Sequence, residues 1–132
     1  MEIPDDLHYT KEHEWVRVEP DGTCTVGITD YAQEQLGDIV FVELPKAGDE
    51  SVVTRDEPMA VVESVKAASD VYAPISGTVI EANDELPNSP NAINEDPYGD
   101  GWLVRIQPRS QAEIEELMSA EDYEELVAGL TD

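Results

Sequence analysis

Ala60-Val61-Val62-Glu63-Ser64-Val65-Lys66-Ala67-Ala68-Ser69-Asp70-Val71-Tyr72-Ala73-Pro74-Ile75-Ser76-Gly77 places one lysine between two strand-like runs, in a chain with only three lysines. The run before it, Met59 to Val65, is apolar and rich in valine. The run after it, Asp70 to Ile75, alternates and stops at Pro74 and Gly77. Both predict strands of one hairpin over about 59–75, with Lys66 at its tip. A tip lysine has no neighbouring strand on which to pack its four-carbon stem, and Ala67 and Ala68 leave room for another protein to approach. An ε-amine held in this way suits covalent modification.

Outward from this hairpin the pattern remains mostly β. Glu14 to Glu19 alternates, Pro20-Asp21-Gly22 is a turn, and Cys24 to Ile28 returns, which predicts an N-terminal hairpin over 14–28. The period then changes. Asp30 is read as the cap of a short helix through Leu36, with Gln33 at the capping-box position and Gly37 as its stop. Further strands are predicted at Ile39–Leu44, Ser51–Thr54, Gly77–Ala82 and Trp102–Ile106. The Asn-, Pro-, Asp- and Gly-rich loop 83–101 is long enough to contain a helical turn near Asn91–Ile93. Ser110 with Glu113 and Ser119 with Asp122 form capping pairs for two short amphipathic helices over about 111–128, ended by Gly129. Gly37 and Gly77 each open a strand, turn and strand of similar length, a faint internal echo.

Composition bounds the remainder. One domain spanning 1–132 has room for a modest core and none for a second. A formal net charge of −24, spread along the chain, makes nucleic acid and anionic membranes poor partners. Since 40% of residues are hydrophobic and fall in periodic runs, disorder does not explain the acidity. A surface adapted to molar salt, as in an extreme halophile, does, because the Debye length there is only about 3 Å. No apolar run reaches the roughly 18 residues of a membrane span, and the first residues show no basic targeting pattern, so a cytoplasmic location is expected.

The single cysteine, Cys24, has no partner for a disulfide or a shared metal. His8 and His13 lack a third ligand nearby, so no metal site is expected. No phosphate-cradling loop and no nucleophile elbow is present, which argues against an independent enzyme.

The segment around Lys66 closely resembles the lipoyl-attachment hairpin of the glycine cleavage system H proteins, in which a lysine preceded by Glu-Ser-Val and followed by a small residue carries lipoate. The resemblance extends through His13-Glu14-Trp15-Val16, Gly27-Ile28-Thr29-Asp30-Tyr31-Ala32-Gln33, and Leu36-Gly37-Asp38-Ile39-Val40-Phe41-Val42-Glu43-Leu44-Pro45. It continues through Pro74-Ile75-Ser76-Gly77, Val79-Ile80-Glu81, Pro97-Tyr98 and Gly101-Trp102-Leu103. Such a collinear set covers nearly the whole chain before the acidic tail.

The resemblance implies a mainly β fold, a flattened barrel-sandwich hybrid of two small antiparallel sheets with pseudo-twofold symmetry, plus a short internal helix and C-terminal helices. It implies lipoate on Lys66, attached by a lipoate ligase or lipoyl transferase, and a non-catalytic carrier. The carrier would shuttle the aminomethyl group of glycine from the pyridoxal-phosphate glycine decarboxylase (P protein) to the folate-dependent aminomethyltransferase (T protein). Dihydrolipoyl dehydrogenase (L protein) would reoxidise it. Glu14 and Asp70 match positions that line the cleft receiving the loaded arm, and Glu12 stands beside them where the family places a small hydroxyl residue. Two alternatives remain at this point: another swinging-arm carrier, either biotinyl or of the 2-oxoacid dehydrogenase type, and a lipoyl-relay or interaction module. Against the first, Val65 and Ala67 flank the lysine where biotinyl carriers resemble Met-Lys-Met and dehydrogenase carriers Asp-Lys-Ala.

Overall fold

A computed structural model describes residues 1–131. Among them, two antiparallel sheets form the body. The strands are β1 (His8–Tyr9), β2 (Glu14–Val18), β3 (Cys24–Ile28), β4 (Ile39–Glu43), β5 (Val52–Val53), β6 (Pro58–Ser64), β7 (Ala68–Tyr72), β8 (Gly77–Ala82) and β9 (Val104–Pro108). One sheet has six strands in the order β1-β2-β3-β9-β8-β5, and the other three in the order β4-β6-β7. The fold is therefore mainly β, as the family resemblance implies. The larger sheet borrows an outer strand, since β5 leaves the first half of the chain to pair with β8, whereas β7 returns directly along β6 as a hairpin.

The core lies between the sheets. Val42, Val62 and Val71 from the smaller sheet meet Val26, Val79 and Ile106 from the larger one. Each of these is at most 3% exposed. A second cluster of Leu7, Tyr9, Trp15, Tyr98, Tyr123 and Val127 seats the C-terminal helix on the outside of β1 and β2. Tyr9 and Tyr123 stack there with ring centroids 4.7 Å apart. Trp15 faces Gly27 across the β2–β3 ladder, and a Cβ on Gly27 would come within 2.6 Å of the indole, so only glycine admits that ring.

The helices follow the capping chemistry with shifts of a residue or more. Helix α1 is Asp30–Leu36, but its cap is Thr29, whose extended backbone lets the side chain accept the Ala32 N–H. Asp30 instead accepts the Gln33 side-chain amide at 2.6 Å. Gly37, at φ +83°, closes the helix by donating its N–H to the Gln33 carbonyl. The loop 83–101 contains a 3₁₀ turn at Leu86–Asn88 and the short helix α2, Ala92–Glu95. Strand β9 begins at Val104, two residues later than the alternation suggests, because Trp102 and Leu103 still complete the loop's bonding to Gly99 and Val26. Helices α3 (Gln111–Glu115) and α4 (Ala120–Thr131) start at the expected serines. Gly129 does not end α4: a glycine weakens a helix interior without breaking it, and this helix rests on the aromatic cluster.

Candidate functional site

Lys66 lies between β6 and β7, in a tight turn where Glu63 faces Ala68 and the Ser64 N–H donates to the Ala67 carbonyl at 2.7 Å. Neither central residue, Val65 or Lys66, has a positive φ. The turn therefore lacks the glycine-type geometry that usually closes two-residue hairpins. Ser64 supplies what the backbone does not. Its buried Oγ accepts the N–H groups of Lys66 at 3.2 Å and Ala67 at 3.1 Å. The Val65 N–H donates to the Asp38 carbonyl at 3.2 Å, tying the tip to the segment that follows α1.

That segment is itself clamped. The Asn94 side chain donates to the Gly37 carbonyl and to Gln33 Oε1, both at 2.9 Å, and accepts the Ile39 N–H at 2.8 Å. The long 83–101 loop thus braces the platform under the lysine. The stem of Lys66 lies over Gly37, and a Cβ there would stand 3.5 Å from Cε and 4.0 Å from Nζ. Lys66 is exposed, and among the described residues its amine enters no salt bridge.

Glu14, the first residue of β2, places its carboxylate against the other end of strand β7. It is 2% exposed. The Thr10 hydroxyl donates to Oε1 at 2.6 Å and the Tyr72 N–H to Oε2 at 3.2 Å. Burial pushes its carboxyl up to about 7; the two hydrogen bonds pull the other way, and Glu12 and Asp56 add to the rise by like charge. From Ala68 to Tyr72 the strand spans about 14 Å at a rise of about 3.4 Å per residue. The lysine and the buried carboxylate are therefore separate stations at the two ends of β7.

The other two candidate carboxylates are arranged differently. Asp70 is exposed, two residues along β7 from Tyr72, and its carboxylate has no hydrogen-bond or ion partner among the described residues. Glu12 is exposed and acts on Glu14 only by its charge. Asp56, at φ +71°, joins that field, although nothing in the local sequence marks it.

His13 connects this region to the C-terminal helix. It adopts φ +73°, and its Nδ1 lies 2.8 Å from the Tyr123 hydroxyl, which in turn is 2.7 Å from Thr29 Oγ1. Burial lowers the imidazole's pKa. Among the described residues no three His, Cys, Asp or Glu side chains gather as a metal set.

This arrangement has close counterparts. A model of the family described as "Glycine cleavage H-protein" matches residues 7–129. The glycine cleavage system H protein of Halorhodospira halophila is 61% identical over 127 residues, covering 96% of each chain. That of Alkalilimnicola ehrlichii is 56% identical over the same length and coverage. A crystal structure of a glycine cleavage system H protein from Mycobacterium marinum matches with a TM-score of 0.83 and 44% identity, covering 92% of this chain and 95% of that one. With the family match running from the first strand into the last helix, the chain belongs to the glycine cleavage H-protein family.

Proposed function

We propose that Lys66 bears lipoate in amide linkage and that the chain is the non-catalytic carrier of a glycine cleavage system. It passes the aminomethyl group of glycine from glycine decarboxylase (P protein) to aminomethyltransferase (T protein), with reoxidation by dihydrolipoyl dehydrogenase (L protein). The observation that carries this reading is Lys66 itself: exposed, without an ion pair among the described residues, and held at a tip that Ser64 and Asp38 keep in place.

The residues present fit such a group. The Lys66 stem passes over Gly37, where even an added Cβ would only touch Cε at 3.5 Å, so the platform does not hold the stem down and it can lift or lie back. Glycine is required at position 37 by its φ of +83°. When bound, lipoate supplies the dithiol and disulfide chemistry, which the chain's own thiol cannot: Cys24 is buried and its pKa is pushed up to about 11. A rigid tip with a mobile arm replaces free diffusion by a high local concentration at each partner.

Glu14 is the group we assign to holding a cationic cargo. At neutral pH its carboxyl is poised between protonated and ionised forms. A cation brought beside it favours the ionised form and releases the proton, and Glu12 and Asp56 add negative potential. Asp70 stands on the path between the two stations. A lipoate ligase or lipoyl transferase loads Lys66, and neither nucleic acid nor a membrane is a partner. The buried, unpaired Cys24 suits a reducing cytoplasm, and a charge of −24 suits molar salt.

Peptide mass mapping of protein from its native host tests the assignment. One lipoyl amide is expected on Lys66 and none on Lys11 or Lys46. Lys66→Arg keeps the fold and loses carrier activity, since a guanidinium is not acylated by the ligase. Full glycine cleavage with that variant overturns the reading.

A further inference from the structure

The outer face of the small sheet carries apolar side chains that the core does not use. Phe41 is 49% exposed, Val40 54% and Val65 73%. Their exposure has a structural cause. Ile39 faces Ser64 and Phe41 faces Glu63, so a bulge at Val40 places two consecutive residues outside while Ile39 and Val42 stay in the core. Cross-strand register then sets two rows on the outer face: Phe41, Glu63 and Ala68, and behind it Glu43, Val61 and Asp70. The first row ends beside Val65 and Lys66. No residue of β4, β6 or β7 is a cation, so this face offers an apolar patch, three carboxylates and, at its end, the one lysine.

We propose that this face is the docking surface for the enzyme that acylates Lys66, a partner presenting an apolar socket for Phe41 and Val65 bordered by Lys or Arg opposite Glu43, Glu63 and Asp70. The inference rests on Lys66 being the lipoylation site. Two arguments select this occupant. The acylating enzyme must bring an acyl carbon within bonding distance of Nζ, and Val65 adjoins Lys66, so an enzyme that reaches the lysine also covers Val65 and the patch continuous with it. Charge complementarity then requires a basic rim, because every charged side chain on the three strands is a carboxylate. In the reaction the Nζ lone pair attacks the carbonyl of an acyl adenylate, the amide C–N bond forms, AMP leaves with the electron pair of the broken C–O bond, and the amine's proton passes to solvent. Covering Phe41 and Val65 removes apolar surface from water and supplies affinity even where salt screens the charges.

Steady-state acylation by the host's lipoate ligase, with lipoate, ATP and the unmodified chain as the varied substrate, tests this. Phe41→Ser and Val65→Ser are expected to raise KM for the chain about tenfold with kcat within twofold. Glu43→Lys and Glu63→Lys should also raise KM. Val52→Ser, an equally exposed change on the larger sheet, should leave it unchanged. Binding is read apart from chemistry by competition: the Lys66→Arg chain should inhibit acylation of the natural chain, and Lys66→Arg combined with Phe41→Ser should not. Circular dichroism melts at equal salt confirm that each variant is folded, and Val40→Ser replaces Phe41→Ser if that variant is not. KM within twofold of the natural value for the folded Phe41 or Val40 variant and for Val65→Ser overturns the docking surface while leaving acylation of Lys66 intact. Failure of the natural chain to be acylated at Lys66 overturns both readings. A self-association that Phe41→Ser dissolves, with KM unchanged, assigns the face to a second copy and also overturns the proposal.

Discussion

The Glu14 carboxylate accepts the main-chain N–H of Tyr72 at 3.2 Å, joining β2, the first strand of the N-terminal hairpin, to the strand that descends from Lys66. Tyr72 ends the free edge of the small sheet, so this bond both satisfies an edge amide and sets a carboxylate at the foot of the lysine's hairpin. Its consequences are measurable.

A carboxyl with its pKa raised by burial makes the native state hold its proton longer than the unfolded chain. The stabilising contribution is complete below about 4.5, the unfolded value, and is lost as pH rises through about 7. Glu14→Gln removes that loss. Relative to the natural chain, the variant's stability should therefore rise between pH 4.5 and 7 by an amount on the order of 3 kcal/mol. His13, whose pKa is lowered by burial, loses stability in the opposite direction as pH falls, but it is present in both proteins and largely cancels. Thermal melts of both chains across pH 4 to 8 check this; a difference that does not change with pH refutes it.

For the loaded carrier, Glu14→Gln should leave lipoylation intact and speed loss of the aminomethyl group to water. A charge pair at about 4 Å is worth about 1 kcal/mol fully wet and about 4 kcal/mol at an effective dielectric of 20. Glu14 is buried and Asp70 exposed, so Asp70→Asn should accelerate decay less, toward the wet limit. Decay rates at equal salt decide, and rates matching the natural chain in both variants would show that neither carboxylate holds the amine.

Ser64→Ala removes the acceptor of two tip amides, those of Lys66 and Ala67. The expected loss is about 1 to 2 kcal/mol of stability. Hydrogen exchange at these two amides should quicken well beyond the global change, and lipoylation should slow as the tip loses its fixed direction. Protection unchanged at both amides would show that Ser64 does not hold the tip.

With a net charge of −24 on 132 residues, screening should stabilise the fold. Melting temperatures are expected to climb steadily from dilute buffer to molar potassium chloride, with or without the lipoyl group, since the modification removes one positive charge. A flat profile rules out adaptation to salt and leaves the carrier reading untouched.

Local features were legible where one short segment carries the whole signal. The valine-rich run, the lysine and the return lie within eighteen consecutive residues, so a hairpin with Lys66 at its tip was legible there. The return strand is nevertheless Ala68–Tyr72 and not Asp70–Ile75: it starts at once after the tight turn and stops two residues before Pro74. Gly37 announced the end of α1 for the same reason. Capping by Thr29 instead of Asp30 was a matter of which neighbouring oxygen reached the Ala32 amide, a difference of one residue that composition does not resolve.

The sequence by itself determined that one lysine stands at a hairpin tip in an acidic, β-rich chain. Tertiary structure alone decided what surrounds it. The Asn94 clamp joins residues 55 to 61 apart, and the Glu14–Tyr72 bond joins residues 58 apart, so neither leaves a periodic trace. The bulge at Val40 resets the parity of β4, burying Ile39 and Val42 and turning Phe41 outward, whereas strict alternation would hide Phe41 with Ile39. Whether Glu14 is wet or buried depends on which elements close over it. That choice, made by distant segments, moves its titration to about 7.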